Sequence, residues 1–250
     1  MGGTLVVAEL FDGSVRKSTY SAIAFARQIG APFSILAVGA GAQGASHELT
    51  AFGAQKVLVC DDAMLAHYLC ERYAPTVAKV VRDDGYETVA FTASAFGKDL
   101  APRVAAKLGA GYAPDINLVK VEGPKRSYRR PMYAGNVFGW VEILTPVHVV
   151  SVRQTEFAAA QPSGVASPVQ GIARAADDAA ASRVEFLKLE VGKSERPDLG
   201  EARVVVERGQ GRCGRRQERC RGGAHRSGRA RTKIVGADRA IAQRRRRAQA

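Results

Sequence analysis

Thr88-Val89-Ala90-Phe91-Thr92-Ala93-Ser94-Ala95-Phe96-Gly97-Lys98-Asp99-Leu100-Ala101-Pro102-Arg103-Val104-Ala105 reads as strand, turn and helix. The first five residues are an unbroken apolar and β-branched run, which suits a strand buried on both faces. Leu100, Val104 and Leu108 then recur four apart, which is helical spacing. Asp99 reads as the helix N-cap, with Pro102 in the first turn. A turn from strand to helix lies at the carboxyl edge of a parallel sheet, where α/β domains take ligands. Thr92, Ser94, Gly97, Lys98 and Arg103 are therefore the candidate ligand or partner residues. The segment is not a P-loop, because Asp99 stands where Ser or Thr should follow the lysine.

Outward from this stretch the same alternation repeats. Residues 4–10, 33–38 and 56–60 are further apolar strands, and Asp12-Gly13 ends the first. Residues 18–29 carry Tyr20, Ile23, Ala24, Ala26 and Ile29 at helical spacing, with Gly30 placed as a C-terminal cap. A weaker helix is expected near 44–53. Residues 64–83 read as a helix that Pro75 should kink or split. Strand–helix alternation with continuous apolar strands predicts a mostly parallel sheet, wound on both faces by helices. From residue 115 the order becomes strand after strand, at 115–122, 126–134, 137–143 and 147–153, and an antiparallel extension is expected. Residues 158–183 read as a surface crossing that can end in a short helix. A strand is expected over 185–191, a boundary at 196–199, and the start of another strand at 202–206.

Charge divides the chain sharply. Residues 207–250 hold 15 Lys and Arg against 3 Asp and Glu, whereas the preceding 206 residues hold 22 against 21. The net charge of +13 is thus a property of the tail. The tail is rich in Arg, Gly, Ala and Gln and cannot bury enough surface to offset chain entropy, so disorder is expected there. Two readings of it compete. Out-of-frame translation near residue 207 would give such a composition abruptly. An evolved Arg/Gly tail would instead bind RNA through phosphate attraction and stacking.

Other motifs are weaker. Gly39-Ala40-Gly41-Ala42-Gln43-Gly44 is a literal G-x-G-x-x-G after a strand, with Asp61 and Asp62 at the end of the next. This permits an NAD-type dinucleotide site, or a plain surface loop, since the match follows the second strand and not the first. Cys60, Cys70, Cys213 and Cys220 form no CxxC pair, so plain thiols are expected and no metal site. His47, His67 and His148 are scattered. Tyr68 with Tyr73, and Phe91 with Phe96, read as core aromatics. No signal peptide or membrane-length apolar run is present, which points to the cytoplasm.

Several segments are similar to one family. Thr4-Leu5-Val6-Val7-Ala8-Glu9 with Asp12-Gly13, and Lys56 to Asp62, resemble the N-terminal domain of electron-transfer flavoprotein alpha subunits. So do Phe96 to Ala105, Arg130-Pro131-Met132-Tyr133-Ala134-Gly135-Asn136, and Val149 to Arg153. The likeness ends with Arg196 to Gly200 and Val204 to Val206. It implies a Rossmann-like α/β domain over 1–195, the start of a second, FAD-binding domain over 196–206, and an unrelated tail over 207–250. It further implies a heterodimer with a beta subunit. Such a dimer carries FAD and passes electrons from acyl-CoA or other dehydrogenases to a quinone oxidoreductase or another acceptor. The alpha subunit is a carrier without bond-making chemistry of its own. The family's FAD-contacting segments do not occur after Val206, so no FAD residue is assigned, and flavin deficiency is expected. No specific nucleic acid and no membrane span are expected as partners.

Overall fold

The computed structural model describes residues 2–123, 125–176 and 183–188, with two short strands at 206–207 and 233–234. The strands are β1 (Thr4–Val7), β2 (Leu10–Phe11), β3 (Ser14–Val15), β4 (Phe33–Val38), β5 (Val57–Cys60), β6 (Thr88–Thr92) and β7 (Gly111–Ile116). They continue with β8 (Leu118–Glu122), β9 (Lys125–Met132), β10 (Val137–Glu142), β11 (His148–Val152), β12 (Val169–Gly171), β13 (Val206–Glu207) and β14 (Lys233–Ile234). The helices are α1 (Ser18–Ile29), α2 (Ala42–Leu49), α3 (Cys70–Asp84) and α4 (Ala95–Leu108). Two compact units result, Met1–Lys188 and Leu189–Ala250.

In the first unit seven parallel strands run in the order β12-β5-β4-β1-β6-β11-β7. Alternate side chains serve opposite faces. Val6, Ile35, Val57 and Val150 pack with Ile23, Phe25 and Ala26 of α1 and Leu49 of α2. Leu5, Leu36, Leu58, Val89 and Phe91 pack with Tyr73 and Val77 of α3 and Leu100 and Val104 of α4. Each large side chain so buried contributes about 1.5–3 kcal/mol, which is why these strands read as unbroken apolar runs. Doubly wound α/β architecture follows, as expected.

Several local expectations are corrected. The run 4–10 is not one strand, because β1 stops at Val7 and Leu10–Phe11 turns back on Ser14–Val15 around Asp12 and Gly13. Both turn residues have positive φ, at 50° and 70°, as a tight hairpin requires. The helix expected over 64–83 breaks at 66–69, and Pro75 lies inside α3. Proline removes one donor there, and the buried row Tyr73, Ala74, Val77, Val80 and Val81 holds the helix. Of the four strands expected after 115, the last, β11, enters the parallel sheet between β6 and β7. The expected crossing 158–183 contributes the edge strand β12, paired with β5. Residues 184–188 form no strand, since Phe186 stacks on His67 with ring centroids 3.8 Å apart and has no ladder partner. Of the expected strand 202–206, only Val206 is described, and it pairs with Ile234. The rest of that strand, residues 177–182 and 189–191, the 196–199 boundary, Cys213, Cys220 and the remainder of the tail lie outside the described residues. None of the described helices is long and apolar enough to cross a membrane.

The strands β8, β9 and β10 form a separate antiparallel sheet. Its inward row, Val119, Tyr128 and Val141, packs on the α1 side of the core. A polar cluster fastens it. Arg126 is 5% exposed and donates to Thr88 Oγ1 at 2.8 Å and to Glu87 Oε2 at 3.1 Å. Tyr128 Oη lies 2.9 Å from His148 Nδ1. Burial first, and the Arg126 charge second, hold the His148 imidazole below its ordinary range, against a smaller pull from Glu87. A depressed histidine stabilises the fold above its unfolded value of about 6.5, and that contribution falls as pH drops below it. Melting temperature should therefore decline more steeply between pH 7 and pH 5 in the wild-type chain than in His148→Gln. Equal slopes in parallel thermal melts would refute the coupling.

Candidate functional site

Helix α4 does not begin at Asp99. Ser94 is the N-cap, extended at φ −78°, ψ 175°, and its Oγ accepts the Gly97 N–H at 3.1 Å. The helix starts this early because Gly97 sits directly on the end of β6. A Cβ there would stand 1.8 Å from the Thr92 carbonyl oxygen. Asp99 is instead a side chain of the first turns, and its Oδ2 accepts the Tyr68 hydroxyl at 2.9 Å. Burial, then Cys70 and Asp99, push the Tyr68 hydroxyl well above its ordinary range, so it stays a donor.

The strand order reverses direction between β1 and β6, and this is the switch point where doubly wound folds open a crevice. Thr92 and Ser94 come together there, their hydroxyls 3.3 Å apart. Glu9, which sequence reasoning used only in the family likeness, is the centre of the arrangement. It is 6% exposed and accepts Thr92 Oγ1 at 3.0 Å and Ser18 Oγ at 3.3 Å, with Arg16 Nε at 3.7 Å. Its own N–H donates to Thr19 Oγ1 at 3.0 Å. A lone acid closing an apolar strand was the available signal. A cleft of about 310 Å³ opens beside it, lined by Glu9, Phe11, Arg16, Tyr68, Phe96 and Asp99 among others. Arg16 lies over the Phe11 ring at 4.6 Å.

Lys98 and Arg103 are not brought to this cleft. Lys98 is exposed, and Arg103 joins α4 to α3 through Glu71 at 2.8 Å. Tyr68, Tyr73 and Phe96 form an aromatic triad with centroids 4.7–6.1 Å apart, packed at the α3–α4 face. Cys60 and Cys70 are buried, and burial pushes both thiols up to about 11, so neither is a thiolate near neutrality. No metal-holding group of His, Cys, Asp and Glu occurs among the described residues.

The G-x-G-x-x-G segment does precede a helix, with Gly39 and Gly41 at φ 151° and 79°. The anion at that helix start, however, is internal. Asp61 accepts the Gly41 N–H at 2.9 Å and the Gln43 N–H at 3.0 Å. Asp62 caps the next turn through the Met64 N–H at 2.8 Å and lies 3.4 Å from Arg174. A pyrophosphate would have to displace one carboxylate, and at the cleft it would meet two more, Glu9 and Asp99. Neither place fits NAD or the FAD that the family likeness implies.

Fold and edge together define a doubly wound α/β domain with a switch-point crevice whose polar groups satisfy one another. The electron transfer flavoprotein domain matches residues 4–184. The chain belongs to the electron transfer flavoprotein family. It is 34% identical over 212 residues to a mitochondrial electron transfer flavoprotein alpha subunit of Caenorhabditis elegans, covering 84% of this chain and 62% of that protein. It is also 34% identical over 208 residues to the alpha subunit of Pseudomonas aeruginosa, covering 83% and 65%. The Bacillus subtilis alpha subunit is 30% identical over 215 residues, covering 83% and 64%. The chain thus spans just under two thirds of the length of these curated relatives.

Proposed function

We propose that this chain is the alpha-type subunit of a heterodimeric electron-transfer flavoprotein, and that its first unit is a scaffold rather than a redox or bond-making site. The observation that carries the reading is a family match over 4–184 coinciding with a sheet edge whose polar groups are already paired. In this reading the partner is a beta subunit. The assembled dimer takes electrons from acyl-CoA or other dehydrogenases and delivers them to a quinone oxidoreductase or another acceptor. Flavin contacts belong to the second domain, whose sequence pattern stops at Val206, so this chain is truncated in function and flavin-deficient. Domain limits of 1–195, 196–206 and 207–250 are part of the same proposal. So is residence in the cytoplasm, although the nematode relative is named as mitochondrial.

The test is co-expression of the full chain with a beta subunit from the same genome, purification of the pair, and a visible spectrum. The expected product is a colourless complex. Flavin absorbance near one equivalent per dimer would overturn the flavin-deficient reading. No complex would overturn the subunit assignment.

A further inference from the structure

The fastening of the β8–β9–β10 sheet to the parallel sheet is polar at its centre, and its donors outnumber its acceptors. Arg126 is buried there and brings a guanidinium with it. Thr88 Oγ1 and Glu87 Oε2 take two of its N–H groups. Its Nε is buried and has no partner among the described residues. A buried donor without an acceptor costs stability, so the cluster is one acceptor short before any group titrates.

His148 adds the group that can change. It opens β11, and its ring meets the Tyr128 ring edge-on, with centroids 5.8 Å apart. Burial pushes the Tyr128 hydroxyl up to about 12, so that hydroxyl is the donor and His148 Nδ1 the acceptor. The proton of the neutral ring then sits on Nε2, and the carbonyls of Ile143 and Thr145 act on the ring from the loop before β11. Two charged groups face it. Arg126 from β9 opposes a positive ring, and Glu87, just before β6, favours one more weakly. Glu87 is already engaged by Arg126 and by the Gly2 backbone. From α1 the neighbour of Tyr128 is the uncharged Phe25, with centroids 6.5 Å apart.

A proton added at Nδ1 turns that acceptor into a donor. Tyr128 Oη must then receive it, and the tyrosine hydrogen loses the lone pair it pointed at. Thr88 Oγ1 already takes Arg126. The cluster would hold a second donor without an acceptor and two neighbouring cations in a buried place. The apolar part of the fastening is the short row Val119, Tyr128 and Val141, and Tyr128 belongs to both parts. The parallel sheet has no such dependence, since β1, β4 and β5 pack on their helices through aliphatic side chains.

We infer that Arg126, Tyr128 and His148 form an acid-released clasp, and that protonation of the ring frees the β8–β9–β10 sheet while the parallel sheet stays folded. The opening is local, distinct from a fall in whole-domain stability, and it does not rest on the alpha-subunit reading. It sets in as pH falls below about 6.5, the value of an unperturbed histidine, because the folded ring resists the proton that the freed ring accepts.

The test is amide deuterium exchange on the full chain at pH 7 and pH 5, corrected for the intrinsic pH dependence of exchange. Protection in β8, β9 and β10 should fall by about 5-fold or more, the effect of one buried donor left without an acceptor. Protection in β1, β4 and β6 should fall by less. In His148→Gln, which has no proton to take up in this range, the local loss should disappear. A proton NMR titration of the wild-type His148 ring gives a second readout that needs no variant, and its midpoint should coincide with the loss of protection. A ring that titrates while β8, β9 and β10 stay protected would overturn the clasp. So would an equal loss across both sheets, or a local loss that persists in His148→Gln.

Discussion

Gly97→Ala is expected to destabilise this domain severely, by roughly 4 kcal/mol, while Gly44→Ala should leave stability equal or slightly raised. Both glycines lie in helices, so propensity alone predicts a gain of about 1 kcal/mol at either position. Their surroundings differ. A Cβ at Gly44 meets nothing within 4 Å, whereas one at Gly97 would stand 1.8 Å from the Thr92 oxygen, 3.0 Å from its carbonyl carbon and 3.4 Å from Phe91 Cβ. The obstructing atoms cannot swing away. Thr92 ends a strand bonded on both sides, to β1 and to β11, and the following Ala93 N–H is held by the Val152 carbonyl at 2.8 Å. The helix must move instead, lifting Leu100, Ala101, Val104 and Ala105 from the core. Overpacking of this kind costs about 1–3 kcal/mol, occasionally more, when side chains alone must yield. Here backbone meets backbone, and a loss of roughly 4 kcal/mol is a large share of the 5–15 kcal/mol typical of a domain. Urea unfolding of the two variants beside wild type is the measurement. A Gly97→Ala midpoint within error of wild type would mean that α4 is not seated on β6 as described.

That contact also marks how far the sequence could be read. The buried strands at 33–38 and 88–92 and the helix at 18–29 were legible to the residue, because an unbroken apolar run and a 3.6-residue period are local signals. Strand β11 carried a local signal that its neighbours did not. Val149-Val150-Ser151-Val152 is continuous, as buried parallel strands are, whereas Leu118-Val119-Lys120-Val121-Glu122 alternates as a half-exposed strand does. Proximity in sequence to three antiparallel strands masked the difference. Strand β12 had no signal, being three exposed residues that pair only because the β5 edge is open beside them. The N-cap was misplaced because Ser94 and Asp99 are both good capping residues, and only the Gly97–Thr92 contact chooses between them. The helix expected near 44–53 begins inside the glycine motif, at Ala42, and ends at Leu49. That its anion would be Asp61, some 20 residues on, is a tertiary fact with no local trace. Of the five candidate edge residues, Thr92, Ser94 and Gly97 come together, while Lys98 is exposed and Arg103 pairs with Glu71.

Glu9→Ala should lower the melting temperature by about 6–12 °C, corresponding to roughly 3 kcal/mol in a unit of this size. Glu9 closes the switch point from three directions. Its carboxylate takes the Thr92 hydroxyl from the end of β6 and the Ser18 hydroxyl from the start of α1, and its N–H is held by Thr19. Alanine would leave the Thr92 hydroxyl, 2% exposed, with only the long 3.3 Å contact to Ser94, and would leave Arg16 without its nearby carboxylate. A buried polar group stripped of its partner costs about 1–3 kcal/mol, and bonds to a charged acceptor are the stronger ones. Glu9→Gln keeps an oxygen at Oε2, where both hydroxyls donate, but turns Oε1 into a donor facing Arg16, so only part of the loss should remain. This series separates the two roles the cleft can have. A strut loses stability in proportion to the bonds removed, and neither variant changes affinity for the beta subunit once both are measured below their melting points. A ligand-binding carboxylate behaves in the opposite way, with a shift under about 2 °C in Glu9→Ala and a loss of binding that Glu9→Gln does not rescue. The geometry favours the strut, because a carboxylate already holding two hydroxyls, with Arg16 close by, has little capacity left for a guest.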